Sequence, residues 1–183
     1  LSTYKLDFKP FFDNVMYIGF SVAGELLLTA VIEPIIEWIF NLTSDYKLME
    51  LTNHKAPLIR RLSTEAPGTF NHCLAVANFA EICADAIGED TYLARACAYY
   101  HDVGKLNNVE YFTENQAGYN PHDEILPEVS AEIIRKHTVD GYELCKKYRI
   151  HEEVARGTIE HHGTSPNMHF FNKAKTLTAG DVD

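Results

Sequence analysis

From Val15 to Ile32 the chain reads VMYIGFSVAGELLLTAVI, an apolar run interrupted by one charge, Glu25. A helix needs roughly 17–25 residues of this kind to cross a bilayer. The pattern therefore predicts either a spanning helix or a buried helix packed on the rest of the protein. Glu25 favours the buried alternative, because a charge in lipid is costly. Glu33, Pro34 and Glu37 follow, with Ile35, Ile36, Trp38, Ile39 and Phe40 between and after them. This second stretch reads as an interfacial end, with Trp38 at headgroup level. No basic stretch precedes the run and no small-residue cleavage site follows it, so a cleaved signal peptide does not fit. A spanning helix that begins this abruptly would be the last piece of a larger membrane part.

After residue 45 the pattern becomes a succession of helical repeats with little strand signal, which predicts an all-α bundle. Pro67-Gly68-Thr69 reads as a turn with Thr69 as the N-cap of the next helix. That helix carries Leu74, Val76, Ala77, Phe79, Ala80, Ile82 and Cys83 at helical spacing and ends at Gly88. Asp90 caps a helix over 91–103, closed by Gly104. Residues 107–125 are polar and form a loop of functional length. Pro127 opens a helix that reaches His137. Further helices are expected over 139–148 and 152–162, the last stopped by Gly163. The chain thus divides into residues 1–44, the end of a membrane region with a linker helix, and residues 45–183, a helical domain.

Composition adds exclusions. With 46% hydrophobic and 23% charged residues the chain is an ordinary globular one. A net charge of −10 argues against binding nucleic-acid polymers or anionic lipid broadly. An anionic substrate then requires local positive charge, which bound metal ions supply. Cys73, Cys83, Cys97 and Cys145 form no C-x-x-C pair; buried, reduced thiols and a cytoplasmic location are expected. No phosphate-binding G-x-x-x-x-G-K-[ST] loop and no G-x-S-x-G elbow occurs.

The candidate chemistry lies in the histidines, nine in all. His72 falls in the first turn of its helix, His101 and Asp102 in the last turn of theirs. His137, His161 and His162 fall at helix C-termini. A lone histidine in such a place is usually a dipole partner. As a set, five imidazoles and one carboxylate suit borderline divalent metals and exceed the needs of one four-coordinate ion. Two metals bridged by Asp102 would use them all. His54, His122, His151 and His169 stand outside the set. Tyr99, Tyr100, Tyr111, Phe112 and Tyr119 are candidates for a base-binding slot.

The segments Ala66-Pro67-Gly68-Thr69-Phe70-Asn71-His72, Tyr99-Tyr100-His101-Asp102-Val103-Gly104-Lys105, Asn120-Pro121-His122-Asp123 and His161-His162-Gly163-Thr164 resemble the HD domain of the seven-transmembrane HD phosphohydrolases. The similarity is closest to their cyclic di-AMP phosphodiesterase branch and extends from about Val15, which resembles that family's last membrane helix, to the C-terminus. It implies a multi-pass membrane protein whose HD domain lies in the cytoplasm. It also implies two divalent metal ions, manganese or iron, and hydrolysis of cyclic di-AMP to pApA. By the same resemblance His72, His101, Asp102, His137, His161 and His162 are metal ligands, Asp102 is the bridge, and Asp102 and Lys105 are the catalytic residues, Lys105 being the lysine of the HD-x-G-K motif that supports the fold or the reacting anion.

The family pattern closes with an aspartate in a later helix, after an Arg-Tyr-Pro-Gly-Pro-like stretch. The sequence reaches Asp183 before any such stretch, and Asp181 and Asp183, in a polar tail, are poor substitutes. The domain is therefore expected to be C-terminally incomplete, one carboxylate short. Alternatives are an HD hydrolase acting on guanosine tetraphosphate or a mononucleotide, an HD-GYP enzyme cleaving cyclic di-GMP, and a non-catalytic nucleotide-sensing domain. Gly163-Thr164 after the histidine pair departs from the HD-GYP signature, and His137, His161 and His162 exceed a one-metal site.

Overall fold

A computed structural model describes residues 8–40, 43–165 and 167–179; the Trp38 side chain, Asp181 and Asp183 lie outside the described residues. Contacts divide the chain into two units, residues 1–44 and 45–183. The first is dominated by α1 (Lys9–Phe40), which runs unbroken through Pro34. Its 32 residues span about 48 Å at 1.5 Å per residue. Lys9–Glu37 is long and apolar enough to cross a membrane, and its apolar side chains are exposed, Phe20 at 72% and Leu27 at 71%.

In the second unit, described residues form helices and short turns with no strand. In order come α2 (Asp45–Leu51), α3 (Pro57–Glu65), α4 (Pro67–Ile87), α5 (Thr91–Tyr100), α6 (Pro127–Lys147), α7 (Glu152–Glu160) and α8 (Met168–Ala179). Single 3-10 turns, beginning with Val103–Asn107, fill the long segment between α5 and α6. Helix α5 lies at the centre, packed against α2, α4 and α7. Its Ala96, Tyr99 and Tyr100 are fully buried with Ile59, Leu62, Cys73, Val103 and Val154. Burying each large side chain of this kind contributes about 1.5–3 kcal/mol. The Tyr100 hydroxyl donates to the Leu51 carbonyl at 2.9 Å, so its polar end is satisfied.

The local signals act largely as expected at α4 and α5. Gly88 adopts φ +75° and ends α4, and Asp90 Oδ1 accepts the Leu93 N–H at 2.9 Å to cap α5. Three expectations change. Helix α4 begins at Pro67, and Thr69 is not its cap; the Thr69 side chain is buried in the first turn, turned toward the loop at 114–115. The helix at 127 does not stop at His137 but continues to Lys147. Gly141 inside it is a packing site, since a Cβ there would lie 3.1 Å from Thr158 Cβ. Gly104 does not close α5, which ends at Tyr100, but presses against α6: a Cβ on it would lie 1.8 Å from the His137 carbonyl oxygen. A further helix, α8, covers 168–179, where no element was expected and only the last two residues belong to the polar tail.

Candidate metal centre

Four elements meet at the site. His72 comes from the second turn of α4, while His101 and Asp102 come from the junction of α5 with the turn at 103–107. His137 projects from mid-α6, and His161 and His162 follow the end of α7. The junction after α5 explains how two adjacent residues serve one centre. Neighbours on a helix point about 100° apart. Asp102, at φ −108°, ψ 10°, leaves the helical conformation just after His101, and its backbone falls near the sparsely used bridge region.

Asp102 lies between two groups of imidazoles. Its Oδ2 is 3.1 Å from His101 Nε2 and 3.7 Å from His72 Nε2. Its Oδ1 is 3.3 Å from His137 Nε2 and 3.7 Å from His161 Nε2. The two groups, His72–His101–Asp102 and His137–His161–His162, each have ligand atoms within 4.8 Å of one another. Thus all six candidate residues converge, one carboxylate oxygen facing each group.

Backbone contacts orient the rings. His101 Nδ1 faces the Ala98 carbonyl at 2.7 Å and His161 Nδ1 faces that of Thr158 at 2.9 Å. His137 Nδ1 makes the same contact with the Ile134 carbonyl. Each carbonyl lies three residues earlier, so the helix itself accepts the Nδ1 proton and turns Nε2 toward Asp102 and the centre, where it can ligate a cation once any proton on it is displaced. His137 Nε2 and His161 Nε2 then face each other at 3.2 Å. With both nitrogens deprotonated, two lone pairs at that distance would repel unless a cation lay beside them, and two close imidazoles with a carboxylate are a donor set that fits a divalent metal.

Charge is balanced across the site. Burial would raise the Asp102 carboxyl, but hydrogen bonds from His101 and His137 and the Lys105 charge hold it far below the carboxylate range. Burial and the neighbouring charges of His162 and His101 press His161 down to about 4. Burial lowers His101 as well, yet Asp102 and Cys73 outweigh it and lift the ring to about 10. A cation entering here would therefore displace a proton from His101.

Lys105 Nζ lies 2.8 Å from Asp102 Oδ2 and 2.7 Å from Glu114 Oε1. Glu114 also accepts the Thr69 hydroxyl at 3.0 Å, and Asn115 Oδ1 accepts the Thr69 N–H at 3.1 Å. The long loop thus clamps α4, which carries His72, to the turn carrying Lys105. The Lys105 ion pair pulls its ammonium proton affinity up against the cost of burial, and it holds Glu114 below its ordinary value. Glu114 is the residue beside the centre that pattern reading missed; the unusual length of its loop was the one sign.

A cleft of about 690 Å³ opens onto His72, His101, Asp102, Lys105, His161 and His162. Small side chains, Ala94, Ala98 and Gly157, line its floor, with Glu153 and Glu160 beside them. The aromatic candidates are not in it. Tyr99 and Tyr100 are core residues, Phe112 is buried, and Tyr119 is exposed elsewhere. His122 is buried with Nε2 2.9 Å from the Tyr111 carbonyl, apart from the centre, and His54 packs on Phe70 and Tyr99.

Against known proteins, the HD domain model matches residues 69–183. The chain is 40% identical over 166 residues to the cyclic-di-AMP phosphodiesterase PgpH of Listeria monocytogenes serotype 1/2a (strain 10403S), covering 88% of this chain and 23% of that protein. It is 43% identical over 143 residues to the PgpH of Bacillus subtilis (strain 168), covering 78% of this chain and 20% of that protein. It therefore spans about a fifth of the length of these relatives. The crystal structure of the L. monocytogenes PgpH HD domain in complex with cyclic-di-AMP matches with a TM-score of 0.66 at 43% identity, over 72% of this chain and 62% of that one.

Proposed function

The chain belongs to the HD domain family, and from this we propose that it is a metal-dependent phosphodiesterase opening cyclic di-AMP to linear pApA. The observation that carries the reading is the Asp102 carboxylate, one oxygen toward each histidine group. The substrate follows from the two relatives named for that activity and from the related domain that binds cyclic-di-AMP.

In this reading His72, His101 and Asp102 would hold one divalent ion, and His137, His161 and His162, with Asp102, would hold a second, manganese or iron in either position. Such ions offset phosphate charge and make water nucleophilic at neutral pH. The protein supplies alignment. Backbone carbonyls of Ala98, Ile134 and Thr158 fix three rings in the ligand tautomer. Lys105, tied to Glu114, holds Asp102 in place and also lines the cleft beside it. The cleft floored by Ala94, Ala98 and Gly157 admits a flat base beside the centre. Helix α1 is read as a membrane span of a multi-pass protein, with the HD domain in the cytoplasm. Recovery of the full-length protein in the high-salt soluble fraction would refute that placement.

The decisive experiment incubates manganese- or iron-loaded protein with cyclic di-AMP and follows products by chromatography. pApA is expected, lost in Asp102→Ala and retained in His151→Ala. Absence of pApA from wild-type protein at full metal occupancy refutes the reading.

A further inference from the structure

Two clefts share His162 in their walls: the first also holds His72, His101, Asp102 and His161, and the second lies beyond it. In the first the lining cation is Lys105, already engaged by Asp102 and Glu114. The second, of about 960 Å³, is bounded by α6, the end of α7 and the residues Gly163, Thr164, Ser165, Asn167 and Met168. Its lining cation is Arg135, two residues before His137 on α6. Among the described residues the Arg135 guanidinium has no hydrogen-bond or ion-pair partner. Ile159 and Met168, both exposed, give the same cleft an apolar wall.

A cyclic dinucleotide carries two phosphodiesters. One must sit at the histidine centre to be cut, and the other keeps its charge and must be held elsewhere. In a chain of net charge −10, with Glu128 and Glu132 also lining the second cleft, an uncompensated phosphate would be repelled. A guanidinium presents a rigid planar fork that matches two phosphate oxygens. Arg135 is the cation lining either cleft whose charge is not already matched.

We propose that Arg135 binds the uncut phosphodiester of a cyclic dinucleotide, with the attached nucleoside against Ile159 and Met168 in the cleft beyond His162. The inference rests on the cyclic dinucleotide reading above and deepens it. The chain's two clefts then divide the substrate, with the scissile phosphate between them. A phosphodiester with a single phosphate has no use for Arg135.

That asymmetry is the test. Metal-loaded wild type, Arg135→Ala, Arg135→Lys and the exposed neighbour Lys136→Ala are compared on cyclic di-AMP and on bis(p-nitrophenyl) phosphate, with metal content measured for each. Losing a charged bidentate contact predicts that Arg135→Ala raises KM for cyclic di-AMP about ten- to a hundredfold. Equilibrium binding of cyclic di-AMP should weaken by a similar factor. The loss on the small ester should be far smaller, Arg135→Lys should recover part of the affinity, Lys136→Ala should follow wild type, and metal content should not differ. An unchanged KM in Arg135→Ala, or equal losses on both substrates, overturns the assignment of Arg135 while leaving the enzymatic reading intact. Wild-type protein that cleaves the small ester but neither binds nor opens cyclic di-AMP overturns both.

Discussion

Gly104→Ala is the sharpest probe of how packing builds the centre. The added Cβ would lie 1.8 Å from the His137 carbonyl oxygen and 2.4 Å from the Gly141 nitrogen. Carbon–oxygen contacts settle near 3.3–3.6 Å, so the turn at 103–107 and α6 must separate by about 1.5 Å. Both obstructing atoms are backbone, and no rotamer change relieves them. Overpacking of this kind costs about 1–3 kcal/mol. For a domain of this size that lowers Tm by roughly 3–12 °C. The same displacement acts on the site, because Asp102 rides on the turn and His137 on α6, with Oδ1 and Nε2 now 3.3 Å apart. Moving them apart weakens the group His137–His161–His162 more than the group His72–His101–Asp102, whose residues stay on their own side of the seam. Thermal unfolding followed by circular dichroism, with metal content by atomic emission, reads both effects. Lower Tm with less bound metal is expected. A variant with wild-type Tm and wild-type metal content would refute the claim that Gly104 sets the spacing.

Removing the clamp on Asp102 should loosen metal binding without unfolding the domain. Glu114→Ala is expected to cost about 1–3 kcal/mol, the worth of a hydrogen bond to a charged partner, and Glu114→Gln less; metal titration that finds equal affinities in all three proteins would contradict it. The Glu114 carboxyl sits below its ordinary value in the folded state. Its contribution is therefore present above the unfolded carboxylate pKa and lost as pH falls through the lower folded one. The Tm gap between wild type and Glu114→Gln should shrink on acidification, and a gap that widens toward acid would show the sign to be wrong. Thiol chemistry gives a separate check. Burial first, then the Glu153 and Glu160 charges, pushes Cys97 up to about 11, and burial pushes Cys145 up to about 12, while Cys83 is exposed. At neutral pH a thiol reagent should modify Cys83 quickly, the half-buried Cys97 more slowly, and Cys73 and Cys145 only on unfolding; rapid labelling of Cys145 in folded protein would count against the described core.

The exposure of Cys83 marks where sequence reading reaches its limit. Its position inside an apolar helical pattern suggested burial, yet Phe79, Ile82 and Cys83 share the outer side of α4, and the buried side is made by Thr69, Cys73, Ala77 and Ala84. Apolar content shows that a helix has an inside; with apolar residues on both sides, the neighbouring helices choose which side it is. Tyr99 and Tyr100 show the converse. Beside the His101-Asp102 pair they looked available for a base, but α5 runs through the centre of the bundle and takes both into the core.

The sequence by itself determined most of the helices and the candidate donors. Helical periodicity, Gly88 at a helix end, the Asp90 cap and the long apolar run of α1 act over a few residues, so they can be read where they stand. The residue types His72, His101, Asp102, His137, His161 and His162 name the chemistry they can perform. Only the tertiary structure decided their relations. His137 reaches the cluster from the middle of α6 because Gly104 and Gly141 let two backbones approach there. Asp102 stands between two histidine groups because α4, α5, α6 and the end of α7 meet at one seam. Glu114 and Arg135 acquire roles from what lies beside them, a lysine in one case and an open cleft in the other. Distances between residues far apart in the chain are set by how side chains fill the space between helices, and no local pattern encodes that.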